Sequence, residues 1–297
     1  MDILKEASKY QDFLIKERRY LHQHPELSGL EFNTVKHVKE FLDSINAYYE
    51  EVPDGGILVF FKGKNPGKTV LLRADMDALP TPESSCNSAG PKECVSLNDG
   101  VSHACGHDAH TAMLMAVAKI LSENSCDFNG TIILMFERGE ENTENILKIF
   151  RYTETHNIHI DSAFAVHCNN TIDTGVIAIN PSNVSAGSFT FDLFIHGHAG
   201  HGSRPDLANS PIECFVDIYT ALSAIRLRKI SPFSPLTFSL GCVQAGAASN
   251  AIPDDLEFKG TARFYDFKSG KTFKENMIEI LNNICPLYNC SYDGYMG

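Results

Sequence analysis

The stretch SHACGHDAHT, residues 102–111, places one thiol and three imidazoles within eight positions. The apolar run AMLMAVAKIL follows at residues 112–121, and its helix-forming composition predicts a buried helix. The cluster therefore lies at a helix N-terminus, where the helix dipole should lower the pKa of the Cys105 thiol. Cys105 and His107 could bind one ion, and zinc is the default metal for mixed sulfur and imidazole ligands. The alternative is ordinary packing, because nine cysteines and twelve histidines make chance neighbours common.

Composition narrows the classes of partner and compartment. The chain has 297 residues, of which 43% are hydrophobic, enough for a large core and two domains. A net charge of −12 without a basic cluster argues against nucleic acid and membrane partners. The start of the chain lacks a signal-type apolar core, and no run approaches the roughly 18 apolar residues of a membrane span. An odd number of scattered cysteines is not typical of a disulfide framework, so we expect a reducing cytoplasm.

The N-terminal residues predict two helices with a histidine-containing connection between them. Residues 6–21 form the first, and apolar positions at helical spacing over residues 32–42 predict a second, amphipathic one. Pro25 ends the first helical pattern. His22 and His24 are interpreted as helix-end and loop residues rather than as ligands.

Acidic residues follow the apolar run at residues 70–72, which, like residues 57–61, is typical of a strand buried on both faces. Asp75 and Asp77 come directly after it, and in open α/β sheets ligands bind beyond the carboxyl ends of strands. One of these acids could orient a metal-bound imidazole. The equally favoured alternative is that they cap the following loop.

Two further strand ends carry metal-type side chains. The strand predicted at residues 131–136 leads to Glu140 and Glu141, and Gly139 permits a bend that brings both to one cleft. One could bind metal while the other accepts a proton from metal-bound water, although a solvated acidic turn is an alternative. The strand predicted at residues 163–166 ends at His167. Together with Cys105 and His107, these ends predict metal-assisted hydrolysis of a carbonyl compound.

The pattern changes near residue 180, which predicts a first domain at 1–180 and a second at 181–297. Strands at 188–195, 236–243 and 256–264 with helices at 210–227 and 273–284 are typical of a small α+β domain. A glycine-rich loop carries His196, His198 and His201. A second metal site there is less favoured than His201 acting alone as a hydrogen-bond donor to a substrate oxygen.

Several blocks of sequence together resemble one family of enzymes. They are RYLHQHPE (19–26), LRADMDALP (72–80), HACGHDAHT (103–111), the Glu140–Glu141 pair, GHG (200–202) and ASNAIP (248–253). The chain is similar throughout to the metal-dependent amidohydrolase and peptidase family of aminoacylase, hippurate hydrolase and auxin-conjugate hydrolases. The resemblance implies a mixed, mostly parallel α/β sheet with flanking helices, of the zinc-exopeptidase type and incomplete at the C-terminus. It also implies a smaller α+β lid or dimerisation domain, a homodimer, and hydrolysis of amide bonds in N-acyl amino acids or small peptides.

The resemblance also implies roles for individual residues. Cys105 would bridge two metals, His107 and His167 would complete one site, and Glu141 would bind the other metal. Glu140 would activate the metal-bound water, with Asp77 in support. The substrate would be contacted by His201, Asn250 and Arg263. One or two divalent ions per chain are implied, with zinc expected and manganese, cobalt or nickel as alternatives.

Two departures from the family pattern support an alternative function. Residues 137–139 read Glu-Arg-Gly where the family has Gln-Pro-Ala, and the chain ends at Gly297 without a histidine after His201 to serve as the family's final ligand. The alternative is a truncated, weakly active or inactive homologue that acts as a dimeric metal-binding or interaction protein.

Overall fold

The computed structural model describes residues 2–124, 128–142 and 145–297. It divides into two compact units, Met1–Gly175 and Val176–Gly297. The sequence predicts the boundary a few residues later, at 180. No helix in the described part of the chain is long and apolar enough to cross a membrane.

The first unit combines helices with a central sheet. Its helices are α1 (Ile3–Ser8), α2 (Gln11–Gln23), α3 (Phe32–Ser44), α4 (His107–Glu123) and α5 (Ile146–Thr155). Its strands are β1 (Tyr49–Val52), β2 (Gly56–Lys62), β3 (Thr69–Asp75), β4 (Cys86–Asn87), β5 (Gly90–Pro91), β6 (Thr131–Glu137) and β7 (Ser162–Ala165). The prediction of one helix over residues 6–21 is wrong. The helix is interrupted between Ser8 and Gln11, where the buried Tyr10 side chain donates a hydrogen bond to Glu123 of α4.

The central sheet has the order β1-β2-β6-β3-β7. Strand β3 pairs in parallel with both β6 and β7, whereas β2 is antiparallel to β6 and to β1. Four of the five strands therefore point the same way, which confirms the predicted mixed, mostly parallel α/β sheet. Because β3, β6 and β7 are parallel, their carboxyl ends meet at one edge of the sheet, where the acids and His167 lie.

The two faces of this sheet are covered unequally. One face packs against α2, α3 and α4 around a core that includes Leu42, Met115 and Phe136. Helix α4 is buried along most of its length, as predicted from its apolar sequence. The other face carries a smaller core with Leu71, Met135 and Ile149 of α5.

Strand β7, which the sequence predicts at residues 163–166, is exposed along its whole length. Within the described ranges it is an edge strand that pairs only with β3, and Phe164 retains 62% of its accessible surface. An apolar sequence such as Ala-Phe-Ala-Val predicts burial only where another element packs on the strand. In the described residues, no other strand pairs with its outer edge.

The second unit has the predicted α+β composition with three additional strands. It contains β8 (Gly187–His196), β9 (Gly200–His201), α6 (Pro211–Arg228), β10 (Leu236–Ala245), β11 (Ala251–Ile252), β12 (Asp255–Phe264), α7 (Phe267–Leu287) and β13 (Ser291–Met296). The main sheet is antiparallel with the order β10-β12-β8-β13. Its core joins Phe191, Leu193 and Phe258 of the sheet to Ile218 of α6 and Met277 of α7. Strands β9, β11 and β13 are absent from the sequence prediction, and α7 is longer at both ends than the predicted helix at 273–284.

Candidate metal centre

The start of α4 brings a sulfur and two imidazoles together. Gly106 precedes the helix with a φ of 87°, a left-handed conformation that favours glycine, and it separates Cys105 from His107. The Cys105 sulfur lies 3.4 Å from Nε2 of His167, which follows β7. One ligand atom from each of Cys105, His107 and His167 lies within 4.8 Å of the others. The three side chains can therefore share one ion.

His107 is fully buried and has one free ring nitrogen. Its Nδ1 lies 3.0 Å from Oδ1 of Asp77, whereas its Nε2 is buried without a hydrogen-bond partner. Such an atom costs free energy unless something binds it. A metal ion fits this position, because a carboxylate on one ring nitrogen commonly orients the other toward a metal.

The acidic pair also lies close to His107. Glu140 and Glu141 occupy a short 3-10 helix after β6, and Gly139 before it has a φ of 67°. The bend that the sequence predicts at this glycine is therefore present. The Glu141 backbone N–H donates to Oδ2 of Asp77 at 3.0 Å, and a Glu141 carboxylate oxygen lies 3.9 Å from His107 Nε2. Ligand atoms of His107, Glu140 and Glu141 also lie within 4.8 Å of one another.

His110, which the sequence analysis did not select as a site residue, contacts residues next to the candidate ligands. Its Nδ1 lies 2.6 Å from Oδ1 of Asp75, and its Nε2 accepts a hydrogen bond from the Cys168 backbone N–H at 2.9 Å. Both nitrogens are therefore engaged, so His110 is unsuited to bind metal although it lies close to His107 and Asp75. Instead it fixes the backbone next to His167. Its position one helical turn after His107 was the available signal.

The residues that depart from the family pattern are paired in the structure. Glu137 accepts a hydrogen bond from Nε of Arg73 at 2.7 Å, and Arg73 also contacts Asp75 at 2.6 Å. Arg138 contacts the fully buried Glu31 at 3.0 Å. The buried charges are thus compensated, and the Glu31 carboxylate also accepts the Gly139 N–H, which holds the turn before Glu140.

Burial and neighbouring charged groups shift the pKa values of Cys105, Glu140 and Asp77. Burial, followed by the charge and hydrogen bond of Glu141, raises the pKa of Cys105 to about 12 in the metal-free protein. The lowering expected at the helix N-terminus is not found, since desolvation and the neighbouring acids shift this pKa upward. Burial also raises the pKa of Glu140, although the charge of Arg73 opposes this shift. For Asp77, hydrogen bonds from His107 and the Glu141 N–H outweigh burial, and the pKa is lowered.

The histidines near residues 22–24 lie outside this group. His22 is buried at the end of α2 between Asp108, at 2.8 Å, and Glu83, at 3.0 Å. His24 caps the same helix, and its Nδ1 contacts the Tyr20 carbonyl. Their interpretation as structural residues agrees with these contacts.

The substrate residues named from the resemblance lie in the second unit. His201 on β9 pairs with Ala251 of β11, and the neighbouring Gly202 N–H donates to the Asn250 carbonyl at 2.8 Å. His201 and Asn250 are therefore neighbours, and both are exposed. Strand β12 begins at Asp255, shortly after Asn250 in the chain, and Arg263 lies eight residues further along the strand. Eight residues of strand span about 26 Å. Within this unit, Arg263 is therefore remote from His201 and Asn250.

Comparison with known proteins decides the family. A family model described as peptidase family M20/M25/M40 matches residues 71–285, more than half of the chain. The chain belongs to this family. It is accordingly a metal-dependent hydrolase of the M20 amidohydrolase and peptidase type. The family resemblance predicted from the sequence is confirmed.

M20-type relatives cover nearly all of this chain. Thermostable carboxypeptidase 1 of Saccharolobus solfataricus is 35% identical over 290 residues, which are 96% of this chain and 72% of the relative. The N-acyl-L-amino acid amidohydrolase of Geobacillus stearothermophilus is 33% identical over 285 residues, which are 94% of this chain and 74% of the relative. The N-acetylcysteine deacetylase of Bacillus subtilis is 30% identical over 277 residues, which are 93% of this chain and 71% of the relative.

Solved structures agree with the fold. A structure from methicillin-resistant Staphylococcus aureus has a TM-score of 0.89 at 31% identity and covers 99% of this chain and 77% of that one. A dinuclear metal-binding M20 peptidase of Bacillus subtilis has a TM-score of 0.77 at 27% identity and covers 97% of this chain and 74% of that one.

Proposed function

We propose that this M20 protein hydrolyses the amide bond of N-acyl amino acids or small peptides, with Glu140 moving the proton. One observation carries the proposal. Ligand atoms of Cys105, His107 and His167 lie close together, as do those of His107, Glu140 and Glu141, and the shared His107 has a buried ring nitrogen without a hydrogen-bond partner. The substrate class is supported by the names of the amidohydrolase and deacetylase relatives.

The proposed metal ligands are Cys105, His107, Glu141 and His167, with Cys105 shared if two ions bind. When bound, a divalent ion would polarise the amide carbonyl and make a water molecule more acidic. A thiol with imidazoles favours zinc, and manganese, cobalt or nickel are alternatives.

Glu140 is proposed as the general base and acid. In its ionised form its carboxylate accepts a proton from the attacking water, and it later donates that proton to the leaving nitrogen. Burial and the neighbouring Glu141 raise its pKa, which makes this return step easier near neutral pH. Asp77 does not touch the substrate in this proposal. It orients His107 through Nδ1 and holds the Glu141 backbone.

The proposed substrate contacts are His201, Asn250 and Arg263. The exposed rings and amides of His201 and Asn250 offer donors to a substrate oxygen. Arg263 is proposed to bind a carboxylate, and because it is remote from the other two within its unit, its role is separate from theirs.

The direct test is an assay of N-acetyl amino acid hydrolysis by protein loaded with zinc, manganese, cobalt or nickel. Glu140→Gln should reduce kcat by a factor of about 10² to 10⁴ while the variant still binds metal. Glu154→Gln, an exposed glutamate on α5, is the matched control and should retain parent activity. Absence of turnover with every metal, or equal rates for Glu140→Gln and parent, would refute the proposal.

A second candidate function is a metal-binding or interaction protein with little turnover. The observation that favours it is the single free nitrogen of His107, since Nδ1 is engaged by Asp77. If Nε2 binds the ion held by Cys105 and His167, it cannot also complete a site with Glu140 and Glu141. This alternative predicts at most one ion per chain together with no turnover in the same assay.

A homodimer formed through the second unit is also proposed, as is a cytoplasmic location. The exposed face of α6 supports the dimer because Ile212, Val216 and Tyr219 recur along it at helical spacing. The described cysteines are free thiols, which suits a reducing compartment.

A further inference from the structure

The turn that carries Glu140 is anchored at both ends by buried carboxylates. At its start, the Gly139 N–H donates a hydrogen bond to Oε1 of Glu31 at 2.8 Å. At its end, the Glu141 N–H donates to Oδ2 of Asp77 at 3.0 Å. Both acceptors are almost completely excluded from solvent. Glu140 is therefore the single residue between two fixed amide groups, which leaves its backbone little freedom to move.

Glu31 is itself held through both of its carboxylate oxygens. Oε1 also accepts the Gly29 N–H at 2.7 Å, and Oε2 accepts Nε of Arg138 at 3.0 Å. Arg138 in turn donates to the Gly29 carbonyl at 2.8 Å, and its guanidinium lies 4.9 Å from the centre of the Phe32 ring. Because both charged side chains are buried, removal of either partner alone would leave a costly unpaired charge.

These contacts join the turn to the connection between α2 and α3. Glu31 directly precedes α3, and Nδ2 of Asn142 donates to the carbonyl of Ser28 in the same connection at 3.3 Å. On its other side the turn is tied to the start of β2, since the Arg138 backbone N–H donates to the Gly55 carbonyl at 3.0 Å. Glu31 is not among the candidate metal ligands or substrate contacts, so any effect it has on Glu140 passes through the backbone.

We propose that Glu31 is a positioning residue for the proposed amide hydrolysis and that Arg138 is its counter-charge. Glu31 fixes the Gly139 end of the turn as Asp77 fixes the other end, so that the Glu140 carboxylate reaches the attacking water. A displacement of about 1 Å in a reacting group can lower a rate about 10²-fold, so loss of one anchor should be visible in kcat. The inference rests on the proposed function.

The first test does not depend on turnover. Hydrogen exchange of the metal-loaded protein is followed by mass spectrometry in peptides that contain residues 139–142. The paired replacement Glu31→Leu/Arg138→Met leaves no unpaired charge but removes the acceptor of the Gly139 N–H. Exchange in the turn should become about tenfold faster, while peptides from α7 keep the parent rates. If this variant does not fold, Glu31→Gln keeps the shape of the side chain with one acceptor oxygen and should give a smaller acceleration.

The second test measures kcat and KM for an N-acetyl amino acid. The paired replacement should lower kcat about 10- to 100-fold and leave KM within about twofold of parent, because the proton carrier is displaced while the substrate contacts are not. Arg138→Lys keeps a positive charge beside Glu31 and should retain kcat within about threefold. Glu26→Gln is the matched control. Its carboxylate lies in the same connection but accepts hydrogen bonds from Asn33 and Thr34 of α3, so kcat and exchange in the turn should match the parent.

Parent exchange rates in the turn of both Glu31 variants would overturn the inference. Parent kcat in the paired replacement would also overturn it, since the ion pair would then serve stability alone. Faster exchange spread over the whole first unit would indicate general loss of structure and would count against it as well. If the parent protein shows no turnover with any metal, the proposed function fails, whereas faster exchange confined to the turn still supports positioning by Glu31.

Discussion

At the scale of single residues, the site depends on which ring nitrogens of each histidine have a hydrogen-bond partner. His107 uses Nδ1 for Asp77 and keeps Nε2 free, whereas His110 uses both nitrogens, for Asp75 and for the Cys168 N–H. The two histidines, three positions apart on α4, therefore have different roles. One is available to an ion, and the other fixes the chain that carries His167.

Asp77→Ala should lower the affinity for zinc by a factor of about 10 to 100. The change removes the acceptor that orients His107 and releases the Glu141 N–H, and carboxylates in this position have effects of that size. Affinity is measured by competition with a chromogenic chelator. Asp173→Ala, an exposed aspartate in the same unit, is the control. Equal affinities for Asp77→Ala and parent would show that Asp77 does not orient a ligand.

The sequence predicts most of the residues that the structure gathers, but not all. Recognisable helix starts or strand ends carry Cys105, His107, Glu140, Glu141 and His167. The role of His110 could not be assigned in the same way, because it depends on a backbone N–H at Cys168, 58 residues along the chain. For Arg263 the resemblance implies a substrate contact, but its position on β12 is remote from His201 and Asn250.

At the scale of elements, the turn between β6 and the Glu140–Glu141 pair is the most constrained connection at the site. Gly139 has a φ of 67°, and a Cβ there would lie 2.1 Å from the Asn145 side-chain nitrogen. The Glu31 carboxylate accepts the Gly139 N–H at 2.8 Å, so the turn is also held by a buried group.

Gly139→Ala should destabilise the first unit by about 1–2 kcal/mol and weaken metal binding in parallel. Side chains rarely adopt this φ, and relief of the strain would move Glu140 and Glu141. The free energy of unfolding is measured by urea titration, and metal affinity by chelator competition. Gly241→Ala is the control, because nothing lies within 4 Å of the Cβ position there. A Gly139→Ala protein as stable as parent, with parent metal affinity, would contradict this account of the turn.

Continuous apolar runs predict β2, β3 and β6 well because both faces of these strands are covered. Strand β7 also has an apolar sequence, but it is exposed, and its outer edge lacks a strand partner in the described residues. Strand β13 has a polar sequence and a glycine with a φ of 125°, so only its pairing with β8 identifies it as a strand. Pairing across about a hundred residues leaves no local pattern to read.

At the scale of the whole molecule, function depends on strand order rather than on any one motif. The order β1-β2-β6-β3-β7 places β3 between β6 and β7, so that the ends of all three parallel strands lie side by side. The sequence predicts parallel strands and side chains at their ends but does not state their order. The α/β class was therefore predictable, whereas the neighbours of each strand end were not.

The proposed homodimer gives a prediction at the same scale. Val216→Glu places a charge in the exposed apolar face of α6 and should convert the dimer to a monomer, because an unpaired charge is costly in a buried interface. Molar mass is measured by light scattering after gel filtration. Gln244→Glu adds the same charge at another exposed position and should leave the mass unchanged. A parent protein that is monomeric across the concentration range would exclude the dimer.

X-ray absorption at the zinc edge of the zinc-loaded protein tests the central claim most directly. If Cys105, His107 and His167 share an ion, the spectrum should show one sulfur at about 2.3 Å and nitrogen or oxygen ligands at about 2.0–2.2 Å. The sulfur contribution should disappear in Cys105→Ser. A zinc environment without sulfur, or a protein that retains no zinc after dialysis, would contradict the account.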